Sequence, residues 1–545
     1  MGIKITRRNF LAGSVVTSAA GALAFLASCS PDSTSTSIQA EKVDDSMSFL
    51  RMPDPLAEGD ASEILEADVV VIGLGNAGTI ASIVAAEMGA KVIVFQKTEG
   101  VYTFGNAVAF PNSKIMASNG VINDDPWSIV NDIQRGLCQN HSKTKLWQNW
   151  VKYGEEIGNW WIDKVGDNQQ IGPILAGPAE TVDADNPWNQ TYAGTHLPQA
   201  ANAQTDKQPY ALICEIMLQD ALESGLDIDV HYSTPAIQLL TDETGRVIGA
   251  FGKNAEGVII LAKASKGIIL ATGGYSGNDA MRSAYMPIWK DLPTAQPDGI
   301  ENGDGILMGY WAGGKIEDAP HSAAVHYDPK VGLPSYFGDV VPFLRVNLNG
   351  ERFSNEDMGY ALMPLQDALQ PEGCHFQVFD DNYAEDSLHM GQGSMFGDWA
   401  TMIPQAVEAG EIYTGNTIEE LGEAIGVPVD VFVREVERYN ELCDKGYDED
   451  FGKQAGRLKP VRKSPFYAFK RRGSILATLS GLDVDENYNV LREDRTPIDG
   501  LYAVGNDSGG MFGGINYPLN LPGVSVGRAI LSGCIAAWRA CGRDE

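Results

Sequence analysis

Three glycines in Gly73-Leu74-Gly75-Asn76-Ala77-Gly78 stand at the spacing G-x-G-x-x-G, which suits the holding of a pyrophosphate. Each glycine has its own task. Gly73 makes a tight turn, Gly75 lets backbone approach phosphates, and Gly78 lets helix and strand pack closely. The spacing alone is weak, because any glycine-rich turn can match it. The chemistry needs a strand before the loop and a helix after it, whose N-terminus offers unpaired N–H groups and partial positive charge to the anion. Residues 68–72 supply a β-branched run that reads as a strand buried on both faces. Residues 79–88 are helical in composition, Gly89 stands where a helix-ending glycine would, and 91–95 give a second strand. In that context Gly73, Gly75, Asn76, Ala77 and Gly78 read as a dinucleotide seat, against the plainer alternative of a bare βαβ turn. One residue departs from the pattern. Roughly 20 positions on, an acid is expected for the ribose hydroxyls; here it is Gln96, whose amide accepts a hydroxyl proton without charge assistance.

The N-terminus reads as an address. Arg7-Arg8 precedes an apolar, alanine- and glycine-rich run at 11–27, the pattern of a twin-arginine export signal. A transmembrane anchor is the alternative, and the run is short for one. Leu26-Ala27-Ser28-Cys29 closes it as a lipoprotein signal does, with Cys29 as the lipidated residue. The expectation is a protein on the extracytoplasmic face of the cytoplasmic membrane, touching it only through lipid. Residues 30–61, rich in Ser, Thr, Asp and Pro, read as a flexible tether. The net charge of −32 argues against nucleic acid and anionic membrane surfaces and suits a basic partner. The 7 cysteines and 7 histidines show no C-x-x-C, C-x-x-C-H or H-E-x-x-H spacing, so no metal, iron–sulfur or c-type haem centre is expected.

Further elements must surround the loop. Trp147, Trp150, Tyr153, Trp160 and Trp161 fall at mostly helical spacing, predicting a packed helix rather than an aromatic substrate box. Residues 186–207 are polar and turn-rich, a surface loop or part of a substrate rim. A helix is predicted at 209–222, a strand at 227–232, and a β-meander at 236–240, 247–251 and 258–262. Residues 267–271 form another buried strand, breaking into Thr272-Gly273-Gly274, where backbone can again come close to a ligand. Gly303-Asp304-Gly305 opens a helix over 306–313.

Six motifs, in order, then resemble one family. They are the glycine loop, the meander, Ala271-Thr272-Gly273-Gly274, Asn302-Gly303-Asp304-Gly305, Asn349-Gly350-Glu351-Arg352-Phe353-Ser354-Asn355-Glu356, and the closing Gly500 to Gly510. The family is the FAD-dependent fumarate reductase/succinate dehydrogenase flavoproteins, which also holds 3-ketosteroid Δ1-dehydrogenases, urocanate reductase and anaerobic reductases of other unsaturated metabolites. The resemblance covers nearly the whole chain after the leader. It implies an α/β fold, with a Rossmann-like FAD-binding domain at 67–320 and 478–545 interrupted by an α+β capping domain at 321–477, after a signal at 1–28 and a tether at 29–66. It implies non-covalent FAD, because neither the histidyl attachment motif nor the threonine motif for attached FMN is present. The pyrophosphate would lie on Gly73 to Gly78, the ribose at Gln96, and the adenine near the backbone of Ala236. Lys97, Asn106, Thr272, Gly273, Gly274 and Asp304 would be further contacts, with Asn506, Ser525 and Val526 holding the flavin end. A separate cytochrome or quinol-linked donor would supply the electrons.

Departures from the family speak about the substrate. In the soluble fumarate reductases an arginine four residues after the Glu of R-F-x-N-E donates the proton; counting from Glu356 gives Tyr360. A second arginine, in an N-R-x-G-G-N stretch, clamps a carboxylate; here Gly513-Gly514-Ile515-Asn516-Tyr517-Pro518-Leu519-Asn520 has none. The H-T-x-G-G stretch appears as Ala477-Thr478-Leu479-Ser480-Gly481, without its histidine. A dianion would lose charge-assisted bonds of about 1.5–3 kcal/mol each, so a fumarate-specific enzyme is not expected. Tyr517-Pro518 resembles the ketosteroid dehydrogenases, whose tyrosine bonds a substrate carbonyl, although their full Y-P-G-x-G is not kept. The implied reaction is hydride transfer from reduced FAD to an activated C=C bond of a small organic acid, enone or aromatic-conjugated compound, in anaerobic respiration. Tyr517 would stabilise an enolate-like oxygen, and Tyr360, its pKa lowered by Arg352, would protonate the α-carbon. Plainer readings stand beside these: Tyr360 packs in the cap, Arg352 and Glu356 form an internal ion pair, and His321 and His326 are ordinary polar residues rather than site residues. At the level of function the alternatives are desaturation in the reverse sense and a flavin-bearing electron carrier without a substrate. The long capping segment favours an enzyme, since a carrier need not enclose a substrate.

Overall fold

The computed structural model describes residues 45–105, 107–123, 125–136, 138, 141–166, 174–176, 192–198, 209–327, 341–357, 363–388, 399–513, 517–518 and 520–543. The strands in chain order are β1 (Glu63–Ile72), β2 (Val92–Phe95), β3 (Val108–Ala109), β4 (Ile174–Ala176), β5 (Thr195–Pro198), β6 (Ile228–His231), β7 (Ala236–Thr241) and β8 (Val247–Lys253). They continue as β9 (Ile259–Leu270), β10 (Ala323–Tyr327), β11 (Leu344–Asn347), β12 (Cys374–Asp380), β13 (Tyr413–Gly415), β14 (Phe466–Thr478), β15 (Asn489–Leu491) and β16 (Pro497–Ala503). The helices that matter here are α1 (Asn76–Glu87), α2 (Thr144–Gly166), α3 (Pro209–Glu223), α4 (Asp304–Trp311), α5 (Ile418–Ile425), α6 (Val429–Lys445) and α7 (Val524–Ala540).

The main sheet runs β15-β16-β9-β1-β2-β6, with β8 on the outer half of β9 and β7 on β8. Strands β16, β9, β1, β2 and β6 are parallel. Val69, Val70 and Val71 and all of β2 are buried on both faces, as an aliphatic run demands in a sheet covered by helices. Two strands are longer than their sequence signals. β1 starts at Glu63, so residues 63–66 belong to the sheet and not to a tether. The predicted strands at 258–262 and 267–271 are one strand, β9, running parallel to β1 across a bulge between Ala67 and Val69. The exposed Ser265 and Lys266 hide that continuity in the sequence; they lie in the bulge, and the ladder with β1 resumes at Gly267.

A second, five-stranded antiparallel sheet is built from β10-β14-β12-β11 with β13 beside β14. One of its faces carries Leu344, Val346, Phe376, Val378, Phe466 and Ala468 and packs on Leu421 of α5 and Phe432 and Val436 of α6. The opposite face is buried as well, where Phe379 and Phe469 pack with Phe343, Tyr383 and Ile403. β14 joins the two parts of the molecule: its first half pairs with β12, its second half with β10, and it delivers the chain to Leu479 beside the main sheet. In a small sheet, β3-β5-β4, the central strand β5 lies where a polar loop is expected at 186–207; most of that loop falls outside the described residues.

Candidate functional site

The carboxyl ends of three parallel strands make the crevice. Ala503, Leu270 and Ile72 stand side by side in register, with Phe95 next in the row. Each strand then breaks into a glycine-bearing turn: Gly505, Gly273 and Gly73. In open α/β sheets this is where ligands bind. Gly73 turns with φ 98°, and a Cβ there would collide with the Ala271 carbonyl. Gly78 lies against the Gly73 carbonyl with no room for a side chain. Gly75 is the N-cap residue of α1 and has no side chain of its own to cap it; the backbone N–H of Asn76 donates to Thr103 Oγ1 at 3.2 Å. A helix start whose N-cap is a glycine, behind a turn that Gly73 and Gly75 keep open to backbone approach, fits a pyrophosphate.

Gln96 sits at the end of β2, buried, and its amide is engaged on both sides. Its Oε1 accepts the Leu74 N–H at 2.8 Å, and its Nε2 donates to Thr98 Oγ1 at 2.5 Å and to the Gly100 carbonyl at 3.0 Å. An acid could not make the two donor bonds, which explains the amide that the motif alone leaves unexplained. Lys97 reaches across the loop to Asp304 Oδ2 at 2.7 Å and the Ile300 carbonyl at 3.1 Å. Ala236 opens β7. Thr272 is bound to Asp507: its N–H donates to Oδ2 at 2.5 Å and its hydroxyl to Oδ1 at 2.9 Å, while the Gly305 N–H donates to that hydroxyl at 2.9 Å. Gly273 faces Glu301, which takes the Ser276 hydroxyl at 2.6 Å, and a Cβ at Gly274 would collide with the Thr478 hydroxyl. Burial pushes Asp507 up to about 8, and Asp304 and Glu301 nearby push the same way. Burial likewise raises Glu301 to about 7.

At the other end, Asn506 Oδ1 accepts from Arg528 Nη2 at 2.5 Å. Arg528, on α7, is wholly buried and also donates through Nη1 to the Ser508 carbonyl at 3.0 Å. Burial holds its guanidinium down to about 10. Ser525 and Val526 form the first turn of α7. Sequence reasoning missed Asp507, Glu301 and Arg528. Asp507 directly follows the predicted Asn506, yet nothing marks it as turned inward, and by charge alone Arg528 reads as a surface residue.

Of the residues expected to do chemistry, Tyr517 is placed between β10 and the start of α7. Its N–H donates to the Ala323 carbonyl of β10 at 3.0 Å, and its hydroxyl accepts the Gly523 N–H at 2.7 Å, at the start of α7. Tyr360 and Asn106 lie outside the described residues. Arg352 is not aimed at a substrate. Its Nε and Nη2 bind Glu356 at 2.8 and 2.9 Å, and its Nη1 and Nη2 bind Asp448 at 3.1 and 2.7 Å, with both side chains fully buried. The two carboxylates use its donors, which makes Arg352 the centre of an internal ion network. His321 is locked as well. Its Nε2 donates to the Glu317 carbonyl at 2.7 Å, so its Nδ1 takes the Tyr275 hydroxyl proton at 2.7 Å, and Tyr285 stacks on the ring at 4.5 Å. Burial lowers it to about 4, so it is neutral and structural. His326 lies on β10 opposite Ser474 of β14.

The FAD binding domain family model matches residues 68–525. The chain belongs to this family. A vinyl phenol reductase of Lactiplantibacillus plantarum is 26% identical, over 86% of this chain and 94% of that protein. A 3-oxosteroid 1-dehydrogenase of Mycolicibacterium smegmatis is 27% identical, over 87% of this chain and 96% of that protein. Among solved structures, the open conformation of a flavocytochrome c3 fumarate reductase superposes with a TM-score of 0.67 at 25% identity, covering 89% of this chain and 79% of that one. This FAD binding domain protein is therefore an FAD-dependent oxidoreductase with the fold of that reductase, and its crevice fits the cofactor. The glycine loop at Gly73–Gly78 would hold the pyrophosphate, and the Asn506–Arg528 pair stands at the return expected at the flavin end.

Proposed function

We propose that this chain is an exported reductase that saturates an activated C=C bond of a small enone, aromatic-conjugated compound or organic acid, and is not specific for fumarate. Bound FAD supplies the hydride in that reaction. The observation that carries the reading is Tyr517. Its backbone is tied to β10 and its hydroxyl receives an N–H at the start of α7. Accepting that bond polarises the phenol and strengthens it as a donor to a substrate oxygen conjugated with the double bond. Tyr360 delivers the proton to the α-carbon. The loss of both family arginines and the histidine supports a substrate recognised through a carbonyl or phenol oxygen rather than two carboxylates. The vinyl phenol reductase relative supports the same direction. Electrons come from a separate cytochrome or quinol-linked donor, and Cys29 anchors the protein by lipid outside the cytoplasmic membrane.

The test is anaerobic. Reduced holoprotein is mixed with enones, enoates, cinnamate-like acids and vinyl phenols, and flavin reoxidation is followed by absorbance. If every compound reoxidises the flavin no faster than buffer, the reductase reading is lost. Tyr517→Phe lowers turnover on the best substrate by about 100-fold, the cost of one donor to a developing oxyanion. Cys29→Ala moves the protein from the membrane to the soluble extracytoplasmic fraction if the address is correct. Tyr517-Pro518 and the 3-oxosteroid 1-dehydrogenase relative favour a second reading, desaturation of a ring ketone, checked with oxidised holoprotein, a 3-ketosteroid and an artificial electron acceptor.

A further inference from the structure

The turn that ends β16 is sealed almost throughout. From Ala503 to Gly513 every residue is buried except Asn506, which is half-buried. Gly505, just before it, lies between α1 and α7: a Cβ there would be 3.0 Å from that of Ala77 and 3.9 Å from that of Ala529. The open space that Asn506 reaches is therefore the crevice, beside the first turn of α1. What its side chain offers to that space is decided behind it. Arg528 Nη2 donates to Oδ1 at 2.5 Å. A guanidinium has donors only, so the amide oxygen must face it and the amide nitrogen must face away. That nitrogen, Nδ2, has no partner among the described residues and is not sealed from open space. Arg528 is itself held in place. It is wholly buried, donates through Nη1 to the Ser508 carbonyl at 3.0 Å and the Leu479 carbonyl at 3.4 Å, and lies 5.0 Å from the centre of the Phe512 ring. These acceptors are all neutral oxygens. A buried cation that no carboxylate binds costs stability, and a role at a binding site accounts for its presence.

We propose that Arg528 is a positioning residue for the cofactor: it locks the Asn506 amide so that Nδ2 presents a hydrogen-bond donor to an acceptor oxygen of bound FAD. The donor is aimed before the cofactor arrives, which lowers the ordering cost of the bond. A carboxylate at position 506 would bind Arg528 more strongly, through charge, yet would offer the crevice acceptors only.

The test compares holoprotein with the variants Asn506→Ala, Asn506→Asp, Arg528→Met and the double variant Asn506→Ala/Arg528→Met. FAD release after dilution is followed by recovery of free-flavin fluorescence. Asn506→Ala and Arg528→Met are each expected to release FAD about five- to tenfold faster, the loss of one hydrogen bond. The double variant should release it no faster than the worse single one, because Arg528 acts through Asn506. Asn506→Asp decides the sign. A merely structural tie would be strengthened by the carboxylate and release would stay as in the wild type or slow, whereas a lost donor makes release at least as fast as in Asn506→Ala. Wild-type or slower release in Asn506→Asp therefore overturns the proposal, as does wild-type release in Asn506→Ala. An effect of Arg528→Met that is undiminished when Asn506 is already alanine overturns it too, since Arg528 would then act on the fold alone. Should Arg528→Met fail to fold, the two single variants at 506 still decide the outcome.

Discussion

Single residues here are fixed by what their neighbours can donate. Gln96 is the clearest case, because the acid that the glycine motif calls for would be worse in this setting. Gln96→Glu removes two donor bonds, to Thr98 and Gly100, and sets a carboxylate against a carbonyl. A cost of about 1–3 kcal/mol follows, and FAD retention in the purified protein should fall by roughly tenfold or more; tighter binding by the glutamate variant would show that the ribose contact matters more than the loop. Asp507 carries a pH signature. Its folded pKa of about 8 lies above the unfolded value of 3.8, so the folded state holds the proton longer. Stability from that proton is complete below about pH 4 and is lost as pH rises toward 8, at about 1.4 kcal/mol per pH unit. Glu301 adds a loss in the same direction up to about 7. The buried His321 and His326, held near 4, act oppositely, but only below their unfolded value of 6.5. Above pH 6.5 Asp507 and Glu301 both pull the melting temperature down as pH rises, and Asp507→Asn should remove the Asp507 share of that slope.

Among the elements, those that hold the cofactor were legible and those that cover it were not. The parallel core announces itself through unbroken aliphatic runs, Val69–Ile72 and Val92–Phe95, ending in glycine turns, because a strand buried on both faces cannot contain anything else. The second sheet carries one wholly apolar face, and on the other its strands hold Arg345, His375, Gln377 and Arg471 among Phe379 and Phe469. Such strands read as polar surface until the fold buries them. Charge gave the same difficulty with Arg352, which the family motif marks but cannot assign. Its place between Glu356 and Asp448 makes it a tie between β11's following turn and the segment after α6. Arg352→Leu should therefore destabilise the folded protein by about 3–5 kcal/mol, the cost of stranding buried carboxylates. A calorimetric scan would show this as an earlier transition, while the flavin spectrum and the pH profile of turnover in the folded fraction stay as in the wild type. A shifted pH profile would return Arg352 to the reaction.

At the scale of the whole molecule the dominant quantity is the charge of −32, which acts on anything that must deliver electrons. A monopole of this size reaches far at low salt and little at physiological salt, since the screening length shrinks from about 30 Å at 0.01 M to about 8 Å at 0.15 M. Association of opposite charges is accelerated by about 10- to 1,000-fold when unscreened, and like charges are slowed. Two small reductants of opposite sign therefore report on it directly. Reduction of the flavin by the cationic methyl viologen radical should slow by about tenfold or more as salt is raised between those limits. Reduction by anionic dithionite should quicken over the same range. The physiological donor should follow the viologen if it presents a cationic surface, as the acidic chain favours. If both reductants respond to salt alike, the charge lies too far from the electron entry to steer, and the choice of donor then rests on a local contact rather than on the field of the molecule.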